Sequence, residues 1–379
     1  MHNEADIADV RAIMLEFADR TGLTNPGTGP RRYLWTDAHA VCTFLSLYGA
    51  TGEEQYRSLA LALIDQVHSV LGRHRDDDPR VGWISGLDDA EGRLHPTAGG
   101  LRIGKKLNER RRSTPIDEHL EWERDGQYFH YLTKWMHALC RAAAVTGDAD
   151  YSLWALELAK AAYAGFVVAT PGGKRLYWKM SIDLSYPLVP SSGHHDPLDG
   201  YITFEEIWRP QEPRFSEEIT ELARMIRGQQ WATIDPLGIG GLLFDAGRVA
   251  HMTVAGRMDG SALAGTLVAA AVESLAAYMG EATLNVTANH RLAFRELGLS
   301  IGLRAVGGMT RIAEKNGECF GAGFSRSLQG VRRYVPLADA IEAFWRKAAN
   351  QRARSWREHA EISAVMLATS LLPDEFLAA

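Results

Sequence analysis

Two segments of the sequence combine a tryptophan, an acidic residue and a histidine at the start of a predicted helix. The first segment contains Arg32, Tyr33, Trp35, Asp37 and His39. A sugar needs a flat apolar surface for its C–H faces and polar groups for its hydroxyls, and a tryptophan beside an aspartate supplies both. Asp37 is therefore a candidate catalytic acid, and the other four are candidates for substrate binding. The carboxylate could instead cap the helix, and His39 could be a buried core histidine.

The second segment lies near the C-terminus and repeats the pattern with Trp356, Glu358 and His359. Glu358 is a second candidate catalytic acid, and Trp356 and His359 are candidates for substrate binding. We predict that the carboxyl groups of Asp37 and Glu358 face each other at about 5–5.5 Å or about 6.5–9.5 Å, as in retaining or inverting glycosidases. The alternative is an ordinary first helical turn stabilised by the helix dipole.

A third group of polar residues lies in the segment SSGHHDPLDGYITFEEIW. Its glycines and prolines shape a loop, and side chains on such loops are commonly used for binding. Asp196 and Asp199 are further candidates for the catalytic acid, and His194 and His195 for substrate binding. No HxxxH or HExxH spacing accompanies them, so no metal site is predicted. A purely structural loop is the alternative.

Other candidates for substrate binding lie on predicted inner helices. Tyr128 and His130 open the second of them, and Asp245 lies on the fourth. Asp245 and Arg248 are three residues apart, so a structural ion pair is an alternative role for Asp245.

Helical periodicity dominates the chain, and two kinds of helix alternate along it. Amphipathic helices with one polar face are predicted at residues 5–20, 54–71, 149–168, 215–230, 260–279 and 337–350. Helices that are apolar on most sides are predicted at residues 33–49, 127–145, 199–208, 238–256, 288–306 and 355–371. A helix of the second kind must be surrounded by protein, as in an inner ring wrapped by an outer ring. The sequence therefore predicts an all-α fold, an (α/α)6 toroid of six helical hairpins, as a single domain over residues 1–379.

A weak internal repeat supports the hairpin as the structural unit. Residues 33–56 can be aligned with residues 128–151, so that Thr-Gly-Glu at 51–53 corresponds to Thr-Gly-Asp at 146–148. In both copies an apolar helix ends at a glycine and an acidic residue opens the next helix. A hairpin cannot bury its own apolar side, so several must stack.

Three long loops interrupt the predicted hairpins, at residues 73–126, 170–198 and 307–335. We expect the first two to overhang the end of the toroid where the inner helices begin, and to limit the ligand to a short saccharide. The second contains GGKRLYWKMSIDLSYPLV, a pattern consistent with a short β-hairpin at this mouth.

Composition excludes several classes of partner. The 379 residues carry a formal net charge of −6, which argues against nucleic acid or an anionic membrane as the main partner. The acidic N-terminal segment does not resemble a signal peptide, and no apolar run approaches the roughly 18 residues of a membrane span. A cytoplasmic location is expected. Cys42, Cys140 and Cys319 are odd in number and lack CxxC spacing, so neither disulfides nor a zinc site are expected, and no cofactor is predicted.

The segment RRYLWTDAHAVCTFLSLYGATGEEQY, with the six predicted hairpins, resembles the six-hairpin glycosidase superfamily. It is also similar to the N-acylglucosamine 2-epimerase group, in which an arginine and aromatic residues precede the first inner helix in much this way. The resemblance covers the architecture of nearly the whole chain. It implies a site at the N-terminal ends of the inner helices that binds a sugar and uses carboxylates or histidines for proton transfer.

Three functions are compatible with these observations, and a small carbohydrate is the expected partner. The leading hypothesis is a glycoside hydrolase, in which one carboxylic acid protonates the leaving oxygen and a second carboxylate activates water or attacks. The alternative enzyme is a sugar epimerase or isomerase, in which histidines exchange a proton beside a carbonyl. A non-catalytic ligand-binding toroid is the third. Two facing carboxylates favour hydrolysis, facing histidines favour isomerisation, and an apolar centre favours a scaffold.

Overall fold

The computed structural model describes residues 3–25, 27, 29–208, 215–281 and 283–379. Two compact units can be distinguished, residues 16–227 and residues 1–15 together with 228–379. The prediction of one domain over residues 1–379 stays a prediction. In chain order the elements up to residue 227 are α1 (Glu4–Arg20), α2 (Leu34–Thr51), α3 (Glu54–Leu71), α4 (Asp89–Leu94), α5 (Glu118–Glu123), β1 (Gln127–Tyr128), α6 (Phe129–Thr146), α7 (Ala149–Phe166), β2 (Val167–Thr170), β3 (Gly173–Leu176), β4 (Lys179–Met180), β5 (Pro187–Val189), α8 (Asp196–Ile207) and α9 (Phe215–Ile226).

The remaining elements are also helical. They are α10 (Pro236–Val254), α11 (Ser261–Gly280), α12 (Ala293–Lys315), α13 (Ala322–Arg332), α14 (Pro336–Trp345), α15 (Ala348–Gln351), α16 (Arg354–Arg357), α17 (Ala360–Leu371) and α18 (Asp374–Leu377). Short 3₁₀ segments cover Thr283–Asn285, Ala288–His290 and Gly317–Cys319.

The unit of residues 16–227 is built from inner helices packed side by side. Helix α6 packs on α2 and on α8, and each of these inner helices packs on the helix that follows it, α3, α7 or α9. The inner helices are buried on most sides, as their apolar composition predicts, and Phe44, Trp135 and Phe204 are fully buried among them.

The other unit repeats this arrangement with α10, α12 and α17 as its inner helices. Helix α12 packs on α10 and α17, α10 packs on α11, and α12 also packs on α13 and α14. The backbones of α10 and α12 approach closely because glycines face each other. A Cβ atom at Gly240 would lie 2.0 Å from the carbonyl oxygen of Gly298, and one at Gly302 would lie 2.4 Å from that of Gly240. These glycines therefore serve helix packing.

The internal repeat seen in the sequence is a repeat of structure. Gly52 and Gly147 end α2 and α6 in the left-handed conformation, with φ of 71° and 73°. The hydroxyl of the preceding threonine donates to a carbonyl one turn back in each copy, at Leu47 and at Ala142. Both turns thus close their helices with the same hydrogen bonds, and a hairpin follows each.

The loop at residues 73–126 is anchored by a buried carboxylate. Asp125 is fully buried and accepts hydrogen bonds from Arg102 Nη1 at 2.6 Å and Arg75 Nη1 at 3.3 Å. Its other oxygen accepts from the backbone N–H of Gly104 at 3.0 Å. Gly104 itself touches the start of α2, because a Cβ atom there would lie 2.1 Å from the carbonyl oxygen of Arg32. The loop is therefore fixed beside the N-terminal ends of α2 and α6.

Two small sheets involve the second long loop, and the hairpin predicted within residues 172–189 corresponds to β4 and β5. Strands β2 and β3 pair antiparallel, with Thr170 opposite Gly173. Strand β4 pairs with β1 and with β5, and β1 directly precedes α6. This three-stranded sheet holds the second loop against the start of α6.

The third long loop was predicted wrongly. Helix α12 continues to Lys315, and α13 forms over Ala322–Arg332. The glycines of GECFGAGFSRS favoured a loop, since each glycine costs a helix about 1 kcal/mol. Burial of Phe324 and Leu328 in α13 offsets that cost.

Two helices near the C-terminus are interrupted where continuous ones were expected. The predicted helix 337–350 is α14 followed by α15, and the predicted helix 355–371 is α16 followed by α17. His359 has non-helical backbone angles and lies between the last two. Trp356 and Glu358 therefore precede the last inner helix instead of opening it.

Helix α11 corrects the expectation that no segment is long and apolar enough to span a membrane. Among the described residues this one helix passes that test of length and composition, and 39% of its most apolar window is buried. Its apolar side, including Leu267 and Leu275, packs against α10 and α13.

Candidate active site at the start of three inner helices

Five aromatic rings meet at the N-terminal ends of α2 and α6. Tyr33 and Tyr128 are the extended residues that precede these helices, so their side chains and those of the first helical turn lie together. The hydroxyl oxygens of Tyr33 and Tyr131 are 2.7 Å apart. The Trp35 ring lies 5.3 Å from Tyr131 and 6.1 Å from His130, and the His130 ring is stacked on Tyr128 at 5.6 Å. We call these five residues the ring cluster.

His130 faces the first residue of α8. Its Nδ1 atom lies 3.6 Å from Oδ1 of Asp196. His130 Nδ1 and Asp196 Oδ2 are both buried and have no hydrogen-bond partner among the described residues. The His130 side chain keeps 32% of its surface exposed, so a ligand can reach it. Gly193 makes room for the carboxylate, because a Cβ atom there would lie 2.5 Å from Asp196 Oδ2.

Two buried hydrogen-bond donors in the ring cluster also have no partner in the described part of the chain. They are Nε1 of Trp35 and the hydroxyl of Tyr128. Burial, and then the negative charge of nearby groups, raises the pKa of Tyr128 well above its usual range, so its hydroxyl keeps its proton. Buried polar groups without partners are rare in folded proteins, and a bound ligand is one group that can satisfy them.

The contact between His130 and Asp196 is the outermost of three polar contacts between α6 and α8. The residues on α6 are spaced four and three apart, which puts them on one face of the helix. The contacts are His130–Asp196 at 3.6 Å, Lys134–Asp199 at 2.7 Å and His137–Glu206 at 3.2 Å. Thr133 also donates to Asp199. The two inner contacts are buried and hydrogen-bonded, whereas the outermost is partly open to solvent.

Asp37 is held by residues at the start of its own helix. It accepts hydrogen bonds from Arg32 Nη1 at 3.3 Å and from the backbone N–H of Tyr33 at 2.8 Å, and it is 1% exposed. Arg32 also donates to the carbonyl oxygen of Thr21 at 2.7 Å. The carboxylate thus joins the start of α2 to the preceding segment.

The same arrangement occurs at the start of α12. Arg291 donates to both carboxylate oxygens of Glu296, at 2.8 and 2.6 Å, and to the carbonyl oxygen of Leu284 at 3.1 Å. Trp345 Nε1 donates to Glu296 as well, at 2.8 Å. In both places an arginine precedes an inner helix and pairs with an acid five residues later. We call these pairs the helix-start clamps, and their recurrence indicates a structural role.

His39 lies behind Trp35 and is 2% exposed. Its Nδ1 atom is 2.9 Å from the carbonyl oxygen of Trp35, and the two rings are 4.9 Å apart. Burial, assisted by the positive charge of Lys134, lowers the pKa of His39 to about 3. A histidine that stays neutral in this way supports the indole ring and does not exchange protons near neutral pH.

The other candidates of this unit are the adjacent histidines before α8. The rings of His194 and His195 are 4.4 Å apart, and His195 is the residue that precedes α8. Among the described residues, no group of three or more histidine, cysteine or acidic side chains is placed to hold a metal ion.

The remaining sequence candidates belong to the other unit. Asp245 pairs with Arg248 at 3.2 Å, and both are buried within α10. Trp356 stacks on Trp345 at 5.7 Å, and the His359 ring contacts the ring of Phe294.

Glu358 is half-exposed and accepts a hydrogen bond from Arg354 at 2.6 Å, which lowers the pKa of the carboxyl group. Glu358 and Asp37 lie in different units, and their facing arrangement stays a prediction.

Sequence reasoning missed several residues around the ring cluster. Tyr131 was not selected, although it contacts four other rings, and neither were His137 and Glu206 as a pair. The spacing of residues 130, 134 and 137 was the available signal, because it places one histidine, one lysine and one histidine on a single helix face.

Comparison with known proteins gives likenesses of structure. No family model and no curated protein sequence matches the chain. The GH76A α-1,6-mannanase of Salegentibacter sp. HEL1_6 superimposes with a TM-score of 0.54 at 12% identity, over 96% of this chain and 98% of that one. An inactive variant of that mannanase, in complex with α-1,6-mannotriose, gives 0.53 at 12% identity over 98% and 100%.

A sugar epimerase from a ruminal bacterium gives a TM-score of 0.47 at 10% identity, over 87% of this chain and 86% of that one. The fold follows from the likeness to the mannanase: this chain has the all-α, (α/α)6 fold that its sequence predicts.

Proposed function

We propose that this protein is a carbohydrate-active enzyme whose active site is the ring cluster together with Asp196. The observation that carries the proposal is the combination of flat aromatic surfaces with buried polar atoms that lack partners among the described residues. The aromatic surfaces suit the C–H faces of a sugar. Trp35 Nε1–H and Tyr128 Oη–H can donate to its hydroxyl or carbonyl oxygens, and Asp196 Oδ2 can accept from a hydroxyl group. The similar mannanase variant holds a mannotriose, which supports a sugar as the ligand.

Within this site the geometry best fits proton transfer by His130, as in a sugar isomerase or epimerase. The other buried carboxylates on α2 and α8 are Asp37, Asp199 and Glu206, and each pairs with a basic side chain. Asp196 keeps one oxygen without a hydrogen-bond partner in the described part of the chain and lies beside a solvent-accessible imidazole. Contacts between catalytic groups are often long until the ligand is bound, so a separation of 3.6 Å is compatible with a working pair.

The proposed step is a proton transfer beside a sugar carbonyl. With its Nδ1–H directed at Asp196, His130 uses Nε2 to take the proton from the carbon next to the carbonyl. The C–H electron pair becomes the C=C bond of an enediolate, and the carbonyl π pair moves onto oxygen. Trp35 Nε1–H and Tyr128 Oη–H donate to that oxygen. The isomer forms when Nε2 returns the proton to the former carbonyl carbon, with the C=C pair becoming the new C–H bond. The hydroxyl proton of the carbon that was first deprotonated passes to the former carbonyl oxygen, and the O–H pair left behind becomes the new C=O bond.

Glycoside hydrolysis is the second candidate, and a specific observation favours it. Asp196 and Asp199 lie one turn apart on α8 in different surroundings. Asp199 is bound to Lys134 at 2.7 Å, whereas Asp196 faces the partly exposed His130 at 3.6 Å. Two carboxyl groups in contrasting environments are what acid and base roles require.

Two substitutions test the proposal, and one further variant is the control. His130→Gln and Asp196→Asn should lower turnover by about 10²–10⁴-fold, because each removes one member of an acid–base pair. His95→Gln is the control, since His95 pairs with Glu157 at 2.6 Å outside the ring cluster and its side chain is 37% exposed. This variant should keep full turnover.

The assay also separates the two reactions. Wild-type enzyme is incubated in D2O with monosaccharides, and NMR detects deuterium at the carbon beside the carbonyl if His130 exchanges a proton there. Incubation with α-1,6-mannotriose and cello-oligosaccharides, followed by reducing-end analysis, detects hydrolysis. Full turnover in both variants would refute the role of the pair. Absence of sugar binding and of both reactions in the wild type would refute the function.

A further inference from the structure

The aromatic surface continues outward from the ring cluster onto the two long loops. Trp178, on the segment between β3 and β4, lies 5.1 Å from Tyr128 with the two rings tilted by 38°. Trp122, on α5, lies 5.6 Å from Trp178 with a tilt of 36°. An unbroken series of ring contacts therefore leads from His130 to Trp122. We call Trp122 and Trp178 the tryptophan step.

The inner residue of the step is fixed in place by its own backbone and side chain. Trp178 Nε1 donates to Ser191 Oγ at 2.8 Å, and its backbone N–H donates to the carbonyl oxygen of Ser191 at 3.1 Å. Its carbonyl oxygen accepts from the backbone N–H of Phe129, the first residue of α6, at 3.1 Å. The position of this indole is thus set by the start of the helix that carries His130.

The outer residue sits on a short helix that is also well anchored. Asp117 caps α5 by accepting from the N–H groups of His119 and Leu120, at 3.1 Å each. Glu121 is buried and accepts from Arg110 Nε at 2.8 Å, and Lys179 binds it as well. Trp122 is nevertheless 56% exposed. The chain thus holds a large aromatic ring in a fixed position while leaving over half of its surface in water.

We infer that the tryptophan step is a distal sugar-binding subsite, so that the ligand is an oligosaccharide whose outer ring stacks on Trp122 while an inner ring occupies the ring cluster. The inference rests on the proposed function. The supporting observation is that the ring contacts are continuous. The exposed indole of Trp122 is joined to the ring cluster through Trp178 and Tyr128, so each sugar ring along an oligosaccharide can lie on an apolar aromatic face. Each of the two loops contributes one of the tryptophans, which links the length of the ligand to these loops.

Leu120, on the same helix as Trp122, is also exposed, at 41%. This second exposed side chain allows an experiment to distinguish a sugar from a protein as the occupant of the surface. A docking surface for a second copy of the chain would use both side chains. A sugar subsite would use the indole ring alone. Leu120→Ala is therefore the matched control for Trp122→Ala, and Trp122→Phe preserves an aromatic face.

Binding is measured by calorimetry for mannose, α-1,6-mannotriose, glucose and cellotriose, with each full-length variant. The four sugars form two pairs, mannose with α-1,6-mannotriose and glucose with cellotriose. In the pair that the wild type binds, it should bind the trisaccharide more tightly than the monosaccharide. Trp122→Ala should weaken trisaccharide binding about tenfold and leave monosaccharide binding unchanged, since losing a stacking surface worth about 1.4 kcal/mol is a tenfold change. The trisaccharide affinity of Trp122→Phe should stay within about twofold of that of the wild type. Leu120→Ala should bind the trisaccharide as tightly as the wild type does.

The results separate failure of the subsite from failure of the function. Trisaccharide affinity that is unchanged in Trp122→Ala, with His130-dependent turnover intact, would overturn the subsite alone. Loss of self-association in both Trp122→Ala and Leu120→Ala, measured by light scattering with sugar affinity unchanged, would assign the surface to a second copy. A wild type that neither binds nor converts any of the four sugars would overturn both proposals. Melting temperatures equal to wild type verify that the variants are folded.

Discussion

At the scale of single residues, the ring cluster and the α6 residues that follow it contain both polar atoms with partners and buried donors without one among the described residues. Lys134 and His137 have acidic partners on α8, and the Tyr33 hydroxyl binds that of Tyr131. By contrast, Trp35 Nε1 and the Tyr128 hydroxyl are buried donors without a partner among the described residues. Such donors cost stability in the folded protein, so their retention is explained most simply by a ligand that accepts from them.

Tyr128→Phe tests this explanation directly. The substitution removes a hydroxyl that makes no hydrogen bond to the described residues and leaves the ring contacts of residue 128 in place, so thermal stability should be unchanged or slightly higher. Turnover should fall about 10²–10³-fold, because a donor to the developing oxyanion is lost. Circular dichroism melting and kcat together check the prediction. A variant that melts lower and keeps wild-type kcat would show that the hydroxyl is structural.

From the sequence, most residues of the ring cluster can be predicted, whereas the contact between His130 and Asp196 cannot. Tyr33, Trp35, Tyr128 and His130 can be found because aromatic residues and a histidine flank two predicted helix starts. The partner of His130 cannot be found in this way, because Asp196 lies 66 positions away in the sequence, and its distance depends on how α6 packs against α8. Trp178 was missed for the same reason, since only the sheet of β1, β4 and β5 brings it to Tyr128.

At the scale of secondary-structure elements, the helix-start clamps explain how inner helices are joined to the segments that precede them. Arg32–Asp37 and Arg291–Glu296 have the same spacing, are buried and reach back to a carbonyl oxygen. The sequence interpretation of Asp37 as a catalytic acid predicts that Asp37→Asn abolishes turnover and preserves the fold. The geometry of the clamp leads to a different expectation.

Asp37→Asn should destabilise the protein by about 3–5 kcal/mol, because it leaves the buried Arg32 guanidinium without its counter-charge. Glu296→Gln, in the second clamp, should have a similar effect. Asp89→Asn is the matched control, since Asp89 pairs with Arg73 at 2.7 Å but is 68% exposed, and its loss should cost less than about 1 kcal/mol. Urea denaturation measures all three. An Asp37→Asn variant with wild-type stability and no turnover would restore the catalytic interpretation.

Most elements could be predicted because their apolar residues recur with helical spacing. The turns at Gly52 and Gly147 could be placed for a further reason, since both need the left-handed conformation that glycine adopts readily. The predictions failed where packing overrides local preference. The helix through Gly307 and Gly308 persists because buried neighbours hold it, and the break at His359 is not marked by any glycine or proline.

At the scale of the whole molecule, two buried histidines link stability to pH. His39 is buried beneath Trp35, and His68 accepts a hydrogen bond from Trp135 Nε1 at 3.1 Å. Burial lowers the pKa of each to about 3 in the folded protein, from about 6.5 in an unfolded chain. Below pH 6.5 the unfolded chain therefore binds protons that the folded protein does not, so stability falls as the pH decreases toward 3.

Between pH 7 and pH 5.5 the free energy of unfolding should decrease by roughly 1 kcal/mol for each of these histidines. His68→Gln should remove about half of their combined effect, since the glutamine carbonyl can still accept from Trp135 and carries no titrating group. His119→Gln, at an exposed position, is the control. It should leave the difference in unfolding free energy between pH 7 and pH 5.5 unchanged. Guanidinium unfolding at both pH values provides the measurement. A wild type equally stable at both would contradict the prediction.

The buried Asp125 carboxylate has a consequence for how a ligand reaches the proposed site. Its ion pairs with Arg75 and Arg102 join the two ends of residues 73–126 to the middle, so this segment can move only as one body. Such a movement would also break the hydrogen bonds from Leu34 N–H to the carbonyl oxygen of Ile103, at 3.0 Å, and from Arg102 Nη2 to that of Val70, at 2.7 Å. Mobile lids, which open and close within microseconds to milliseconds, are held by weaker contacts than these. We therefore expect this segment to remain a rigid wall of the proposed site. Ligand should then meet a preformed surface, and its entry and exit should require no slow rearrangement of this loop.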